Sequence, residues 1–166
     1  MLDQRAFRDI VGRFATGVVL VTARTRPGPA GMTVNAFMSV SLDPPLVALG
    51  AATSSVTWPA IRAVGGFAVA VLGDQHEELS RAFATREAPR FAEPGEWAST
   101  RQGHPVPRDA LAWLDCRITR IHPAGDHELV LAEALAGATS GAEPGHPLIF
   151  HTGRFTTLAT RTSTSA

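Results

Sequence analysis

Apolar and polar positions alternate along this chain with two periods, and the period changes from segment to segment. In DQRAFRDIVGRF, residues 3–14, Phe7, Ile10, Val11 and Phe14 recur at helical spacing behind Asp3, a residue suited to cap a first turn. The spacing predicts an amphipathic helix that opens the chain and covers a sheet. After Gly17 the run VVLVTA is β-branched and apolar on both faces. Turn residues follow in TRPGPAG, and MTVNAFMSV resumes as strand, so the pair reads as a hairpin with Gly28, Pro29 and Gly31 at its tip.

The double proline Pro44 and Pro45 stops that strand, and LVALGA is the next one. TSSVTWPAIRAVGG then predicts a short helix, with hydroxyl residues before it, Pro59 in its first turn and Gly65 and Gly66 at its end. FAVAVL is strand-like. DQHEELSRAFA has capping-box spacing from Asp74 to Glu77 and predicts a second helix. Residues 85–110 are rich in proline, glycine and charge, and they form a lid-like candidate because irregular stretches of this length in compact domains are more often functional than idle.

LAWLDCRITRI alternates with period two, Leu114, Cys116 and Ile118 against Asp115, Arg117 and Thr119. Through the turn HPAGDH it pairs with ELVLAEALAG. PLIFHTG and RFTTLA are the last strand candidates. The expectation is a single domain over residues 1–160 with a disordered tail over 161–166. About six or seven short strands with two or three short helices, joined mostly by hairpin-length links, predict a mostly β protein with short helices, arranged as an antiparallel barrel.

Composition narrows the function without choosing it. The chain has 166 residues, 45% hydrophobic and 18% charged, with 15 basic and 15 acidic side chains and no formal net charge. That balance offers no broad field for a nucleic-acid backbone or an anionic membrane. A single cysteine cannot form an internal disulfide, no apolar run approaches the roughly 20 residues needed to span a bilayer, and MLDQRAFRDI lacks the pattern of a secretory leader. The reading is a soluble, cytoplasmic protein. Near-zero charge also favours self-association.

Several chemistries are absent from the sequence. There is no G-x-G-x-x-G, no P-loop, no G-x-S-x-G elbow, and the six histidines show no zinc spacing. No metal is expected. If the strand through residues 31–41 stays regular, Thr33 and Asn35 share a face that Ser39 and Ser41 continue, a row of small groups suited either to cross-strand hydrogen bonds or to a flat polar ring. Ser54, Ser55 and Thr57 stand before a helix start, where one hydroxyl suffices for capping and three can also hold a phosphate. Arg86 and Arg90 are either a solvated pair or the charge for that phosphate, and Phe83 and Phe91 can supply apolar faces to a ring. His127, at a hairpin mouth, is either exposed or in reach of a ligand. Together these groups are what a phosphorylated planar heterocycle needs.

FATGVVLVTA, GMTVNAFMSVSLDPPL, FAVAVL, SRAFA, RF, LAWLDCRI, GDHELVLAEA and PLIFHTGRF occur in an order that resembles the flavin reductase-like, FMN-binding split-barrel family. The likeness runs from Phe7 to Leu158. It implies a homodimeric split β-barrel that uses NADH or NADPH to reduce FMN, or alternatively FAD, for a partner flavin-dependent monooxygenase. The resemblance puts Thr33, Val34, Asn35 and Ala36 at the isoalloxazine ring and Ser39 and Ser41 near its polar edge or the ribityl chain. Ser54, Ser55 and Thr57 would serve the ribityl and phosphate end, with Arg86 or Arg90 supplying charge in place of a lysine. Arg90 and Phe91 match the family's RF pair, and His127 its nicotinamide-positioning histidine. No side chain is required as acid or base, so no catalytic residue is expected. A flavin-holding protein without reductase activity, or a binding module without turnover, are the other readings of the same residues.

Overall fold

The computed structural model describes residues 2–85, 90–91, 95–141 and 145–158. Its first helix is α1, Gln4–Val11, where the Asp3 carboxylate accepts from Ala6 N at 2.8 Å and caps the first turn as the spacing predicts. Strands β1 (Thr16–Gly17), β2 (Val19–Arg24), β3 (Pro29–Val34), β4 (Phe37–Leu42) and β5 (Pro45–Ala52) follow. Next come α2 (Trp58–Val64), β6 (Gly66–Val71), a 3₁₀ turn at Asp74–His76 and α3 (Glu77–Ala84). The chain continues through β7 (Trp97–Ser99), β8 (Pro105–Pro107), β9 (Ala112–Ala124), β10 (His127–Thr139), β11 (Ile149–His151) and β12 (Arg154–Thr156).

Seven strands form one antiparallel sheet in the order β3, β2, β6, β9, β10, β5, β4. Its two edges, β3 and β4, are consecutive in sequence. The link from Val34 to Phe37 spans at most about 11 Å, so the sheet must curl until its edges meet. Gly50 N donates to Ala36 O at 2.9 Å at that junction. The fold is a mostly β barrel, split where the edges approach.

Both faces of the sheet are dry at its centre. Val19, Val21, Phe67, Val69, Cys116 and Val130 pack inside the barrel with Trp58 and Ile61 of α2. Val18, Leu20, Ala68, Ala70 and Leu72 face outward, into a second apolar cluster under Phe83 of α3, Val106 of the β7–β8 hairpin and Leu148. This is why VVLVTA is apolar at successive positions rather than alternate ones. Burial, reinforced by the nearby Asp115 carboxylate, pushes the Cys116 thiol up to about 12.

Several local expectations change. The tip of the first hairpin is residues 25–28, while Pro29 and Gly31 lie within β3. MTVNAFMSV is two strands, because residues 35–36 carry the chain from one sheet edge to the other. Pro44 is in the tight β4–β5 turn and Pro45 opens β5, so the double proline makes a hairpin. Asp74 is not a cap; Gly73 N donates instead to His76 Nδ1 at 3.0 Å. The HPAGDH turn shrinks to Gly125 and Asp126, with β9 running to Ala124 and β10 starting at His127. Residues 85–110 hold the β7–β8 hairpin; 86–89 and 92–94, like the tail at 161–166, lie outside the described residues. Among the described residues twelve strands replace the six or seven expected, the surplus being two- and three-residue pairings. Helix α1 covers no sheet among the described residues: its apolar stripe is open, with Phe7 56% and Ile10 60% exposed, and Phe14 just beyond its end is 77% exposed. The sheet faces it was expected to cover are already occupied by α2, α3 and the hairpin.

Candidate functional site

Where the barrel edges meet, a cavity of about 400 Å³ opens. Its first wall is the end of β3 and the crossing segment, Thr33, Val34, Asn35 and Ala36. The opposite wall is the end of β5, Gly50, Ala51 and Ala52, joined to the crossing by the Gly50 to Ala36 hydrogen bond. A Cβ on Gly50 would stand 3.2 Å from the Ala36 Cβ. Bare strand backbone therefore forms the floor at this place.

The segment 54–57 closes one end. Ser55 Oγ accepts from Thr57 N at 3.3 Å and Trp58 N at 3.1 Å, so Ser55 is the hydroxyl that caps α2. Ser54 is exposed and Thr57 half-buried at the cavity rim. Helix α2 itself is fixed to β10 by Trp58 Nε1, which donates to Glu128 Oε2 at 2.6 Å, and by the Arg62–Glu128 ion pair.

Arg90 forms the third side. Its Nη1 donates to Gly31 O at 3.2 Å and to Thr57 Oγ1 at 3.1 Å, its Nη2 donates to Thr85 O, and its Nε is buried without a partner among the described residues. The guanidinium also lies over the Phe83 ring, 5.7 Å from its centroid. Among the described residues that line the cavity, Arg90 is the one arginine and no carboxylate is present, a field that suits an anion.

His127 enters from the first residue of β10, which pairs with Ala52. Its Nδ1 lies 2.8 Å from Asp126 Oδ1. Hydrogen bonding and charge from His127 hold the Asp126 carboxyl below its ordinary value. Bonding through Nδ1 leaves Nε2 as the ring nitrogen available to a ligand.

The fold thus brings together Thr33, Val34, Asn35, Ala36, Ser54, Ser55, Thr57, Arg90 and His127. Thr33 Oγ1 already donates to Ser80 O at 2.8 Å, which ties β3 to α3. Ser39 and Ser41 do not line this cavity. They lie on β4 beyond the break at residues 35–36, with a register irregularity between them, so the alternation that linked them to Thr33 and Asn35 is lost. Phe91 stands behind the wall, its ring centroid 4.9 Å from Phe83 and 4.6 Å from Trp97. Arg86 lies outside the described residues. Sequence reasoning missed Gly50, Ala51 and Ala52; the run of small residues GAA directly before TSS was their signal.

The family described as flavin reductase like domain matches residues 11–159. An FMN reductase (NADH), SmoA of Agrobacterium fabrum, is 43% identical over 92% of this chain and 85% of its own length. The crystal structure of nitrilotriacetate monooxygenase component B from Mycobacterium thermoresistibile is similar with a TM-score of 0.91 and 34% identity, covering 99% of this chain and 91% of the other. An NADH:FAD oxidoreductase of Streptomyces globisporus, SgcE6, solved in complex with NAD and FAD fragments, has a TM-score of 0.87 at 34% identity, over 97% of this chain and 96% of its own.

Proposed function

This chain belongs to the flavin reductase-like domain family, and from that premise we propose that it is an NAD(P)H-dependent reductase of FMN or FAD that supplies reduced flavin to a monooxygenase partner. The observation that carries the reading is the cavity at the barrel junction, which gathers a bare-backbone floor, four hydroxyl residues and an arginine and has no carboxylate among its described lining residues. At about 400 Å³ it is of ligand-site size. A planar ring fits a floor of Gly50 and Ala36, and a phosphate fits Arg90 beside Thr57.

A flavin held there would supply the redox chemistry, as an acceptor of hydride from a reduced nicotinamide. The protein's part is alignment. Residues 33–36 and 50–52 line the ring, Ser54, Ser55, Thr57 and Arg90 hold the ribityl and phosphate end, and His127, oriented by Asp126, positions the nicotinamide nucleotide. Holding two rings in contact converts a bimolecular encounter into a positioned one, and no side chain moves a proton. Ser39 and Ser41 have no place in this assignment, and Phe91 acts through packing on Phe83.

The reading also includes a single domain over residues 1–160, cytoplasmic location and a homodimer. The open apolar stripe of α1 together with exposed Met38, Val40 and Leu42 of β4 supports the last of these. No helix among the described residues is long and apolar enough to cross a membrane. The test is direct: purified protein is mixed with NADH or NADPH and excess FMN, FAD or riboflavin, and nicotinamide absorbance is followed. Oxidation well above the protein-free rate with at least one pair is expected; none with any pair sinks the reductase reading.

A further inference from the structure

Helix α2 is joined to β10 through one carboxylate. Trp58 Nε1 donates to Glu128 Oε2 and Arg62 Nη1 to Glu128 Oε1, each at 2.6 Å. Trp58 is 3% exposed and packs in the barrel core, and an indole N–H so deeply buried requires an acceptor. Glu128 does not itself line the cavity, whereas His127 before it does. From the indole the bonds continue toward the cavity. Trp58 N donates to Ser55 Oγ at 3.1 Å, and Thr57 Oγ1 accepts from Arg90 Nη1 at 3.1 Å. The other end of the segment is tied to the same turn, since Thr53 N and Thr53 Oγ1 both donate to Asp126 O at 2.9 Å. Residues 126 and 128 therefore hold both ends of segment 54–57, one on each side of His127.

We propose that Glu128 is a positioning residue for phosphorylated flavin: through Trp58 it holds the hydroxyls of segment 54–57, and through Thr57 the Arg90 guanidinium, where a flavin phosphate binds. The proposal rests on the flavin reading of the cavity and adds to it a residue that touches no ligand. The two ends of the cavity depend on Glu128 differently. The floor at residues 33–36 and 50–52 is set by strand pairing and by the Gly50 to Ala36 bond, in which the Glu128 side chain has no part. Segment 54–57 lies between β5 and α2, and the Trp58 to Glu128 bond ties its far end to the sheet. Arg62 adds little, because its side chain is 53% exposed and an ion pair in solvent is weak. Without Glu128 the buried indole N–H loses its acceptor, which is costly enough to move the first turn of α2 toward a new one. The loss falls on the phosphate end and spares the ring.

FMN and riboflavin differ only by the phosphate, so the pair reads the two ends of the cavity separately. Their dissociation constants are measured by quenching of flavin fluorescence in the native chain and in Glu128→Ala, Glu128→Gln and Trp58→Phe. The native chain is expected to prefer FMN. Glu128→Ala should weaken FMN about tenfold, the size of one lost buried hydrogen bond, and leave riboflavin within about twofold. Glu128→Gln keeps an oxygen for the indole and should stay within about threefold of the native chain for both flavins. Trp58→Phe removes the donor but keeps a ring in the core, and it should show the same FMN-selective loss, which decides the matter if Glu128→Ala does not fold. Equal losses for FMN and riboflavin would make Glu128 a general support of the fold and overturn the proposal. Unchanged FMN affinity in Trp58→Phe, or a glutamine that restores nothing, does the same. Native binding of FMN no tighter than of riboflavin also overturns it, while leaving the flavin reading intact. Native binding of neither flavin strikes the flavin reading and the proposal together.

Discussion

Gly31 shows how tightly single residues are specified around the cavity. A Cβ there would fall 2.7 Å from Phe83 Cε1 and 3.2 Å from Phe91 Cζ, and Phe83 is buried in the second apolar cluster. Overpacking of this kind costs about 1–3 kcal/mol. Gly31→Ala is expected to lower the urea midpoint accordingly and to disturb Arg90, which bonds the Gly31 carbonyl. An unchanged midpoint would show that the aromatic cluster yields more easily than its packing implies. His127 is the opposite kind of residue, nearly half exposed and bonded through Nδ1 to a carboxylate that is itself in solvent. His127→Ala should leave stability and flavin affinity unchanged and raise the KM for the nicotinamide nucleotide. Equal loss of flavin affinity would place His127 on the flavin instead.

At the scale of elements, the β7–β8 hairpin depends on one histidine. His104 Nδ1 accepts from Arg24 N at 3.1 Å, and the Thr22 hydroxyl bonds the neighbouring Pro105 carbonyl, which clips the hairpin onto β2. Burial pushes the His104 imidazole below its ordinary value of 6.5, against an opposing pull from Asp115. The folded state therefore resists the proton that the unfolded chain accepts. Stability from this group is complete above 6.5 and is lost as pH falls through that value toward the lower folded one. Urea midpoints should drop on acidification across this window, and His104→Asn should flatten the dependence. The same slope in the variant would exclude His104 as its source. Elements of this size were read well where one periodicity rules, as in α1 and β9. They were misread at Asp74, where the cap is a histidine ring reaching back to Gly73, a contact that no dipeptide preference announces.

The whole molecule leaves too much apolar surface for an isolated chain. Phe14 is 77% and Leu42 93% exposed. A second copy is the proposed cover, and light scattering should give twice the 17.5 kDa chain mass. Phe14→Asp is expected to shift the mass toward one chain at micromolar concentration. A native mass of one chain would remove the homodimer from the proposal.

The sequence by itself determined the β-rich class, the capped opening helix, the run that is buried on both faces and most of the residues that now line the cavity. Those features depend on period, cap chemistry and turn residues, all carried by near neighbours. Its order of segments also carried the family, because that order is the fold's order. Closure of the barrel was decided only in three dimensions. Residues 35–36 look like continuous strand, yet they carry the chain between sheet edges, because β3 pairs with β2 and β4 with β5. That choice moved Ser39 and Ser41 away from Thr33 and Asn35 and brought His127 and Arg90 to them. Hydrogen bonds between distant strands, not local preference, set which polar side chains share a wall.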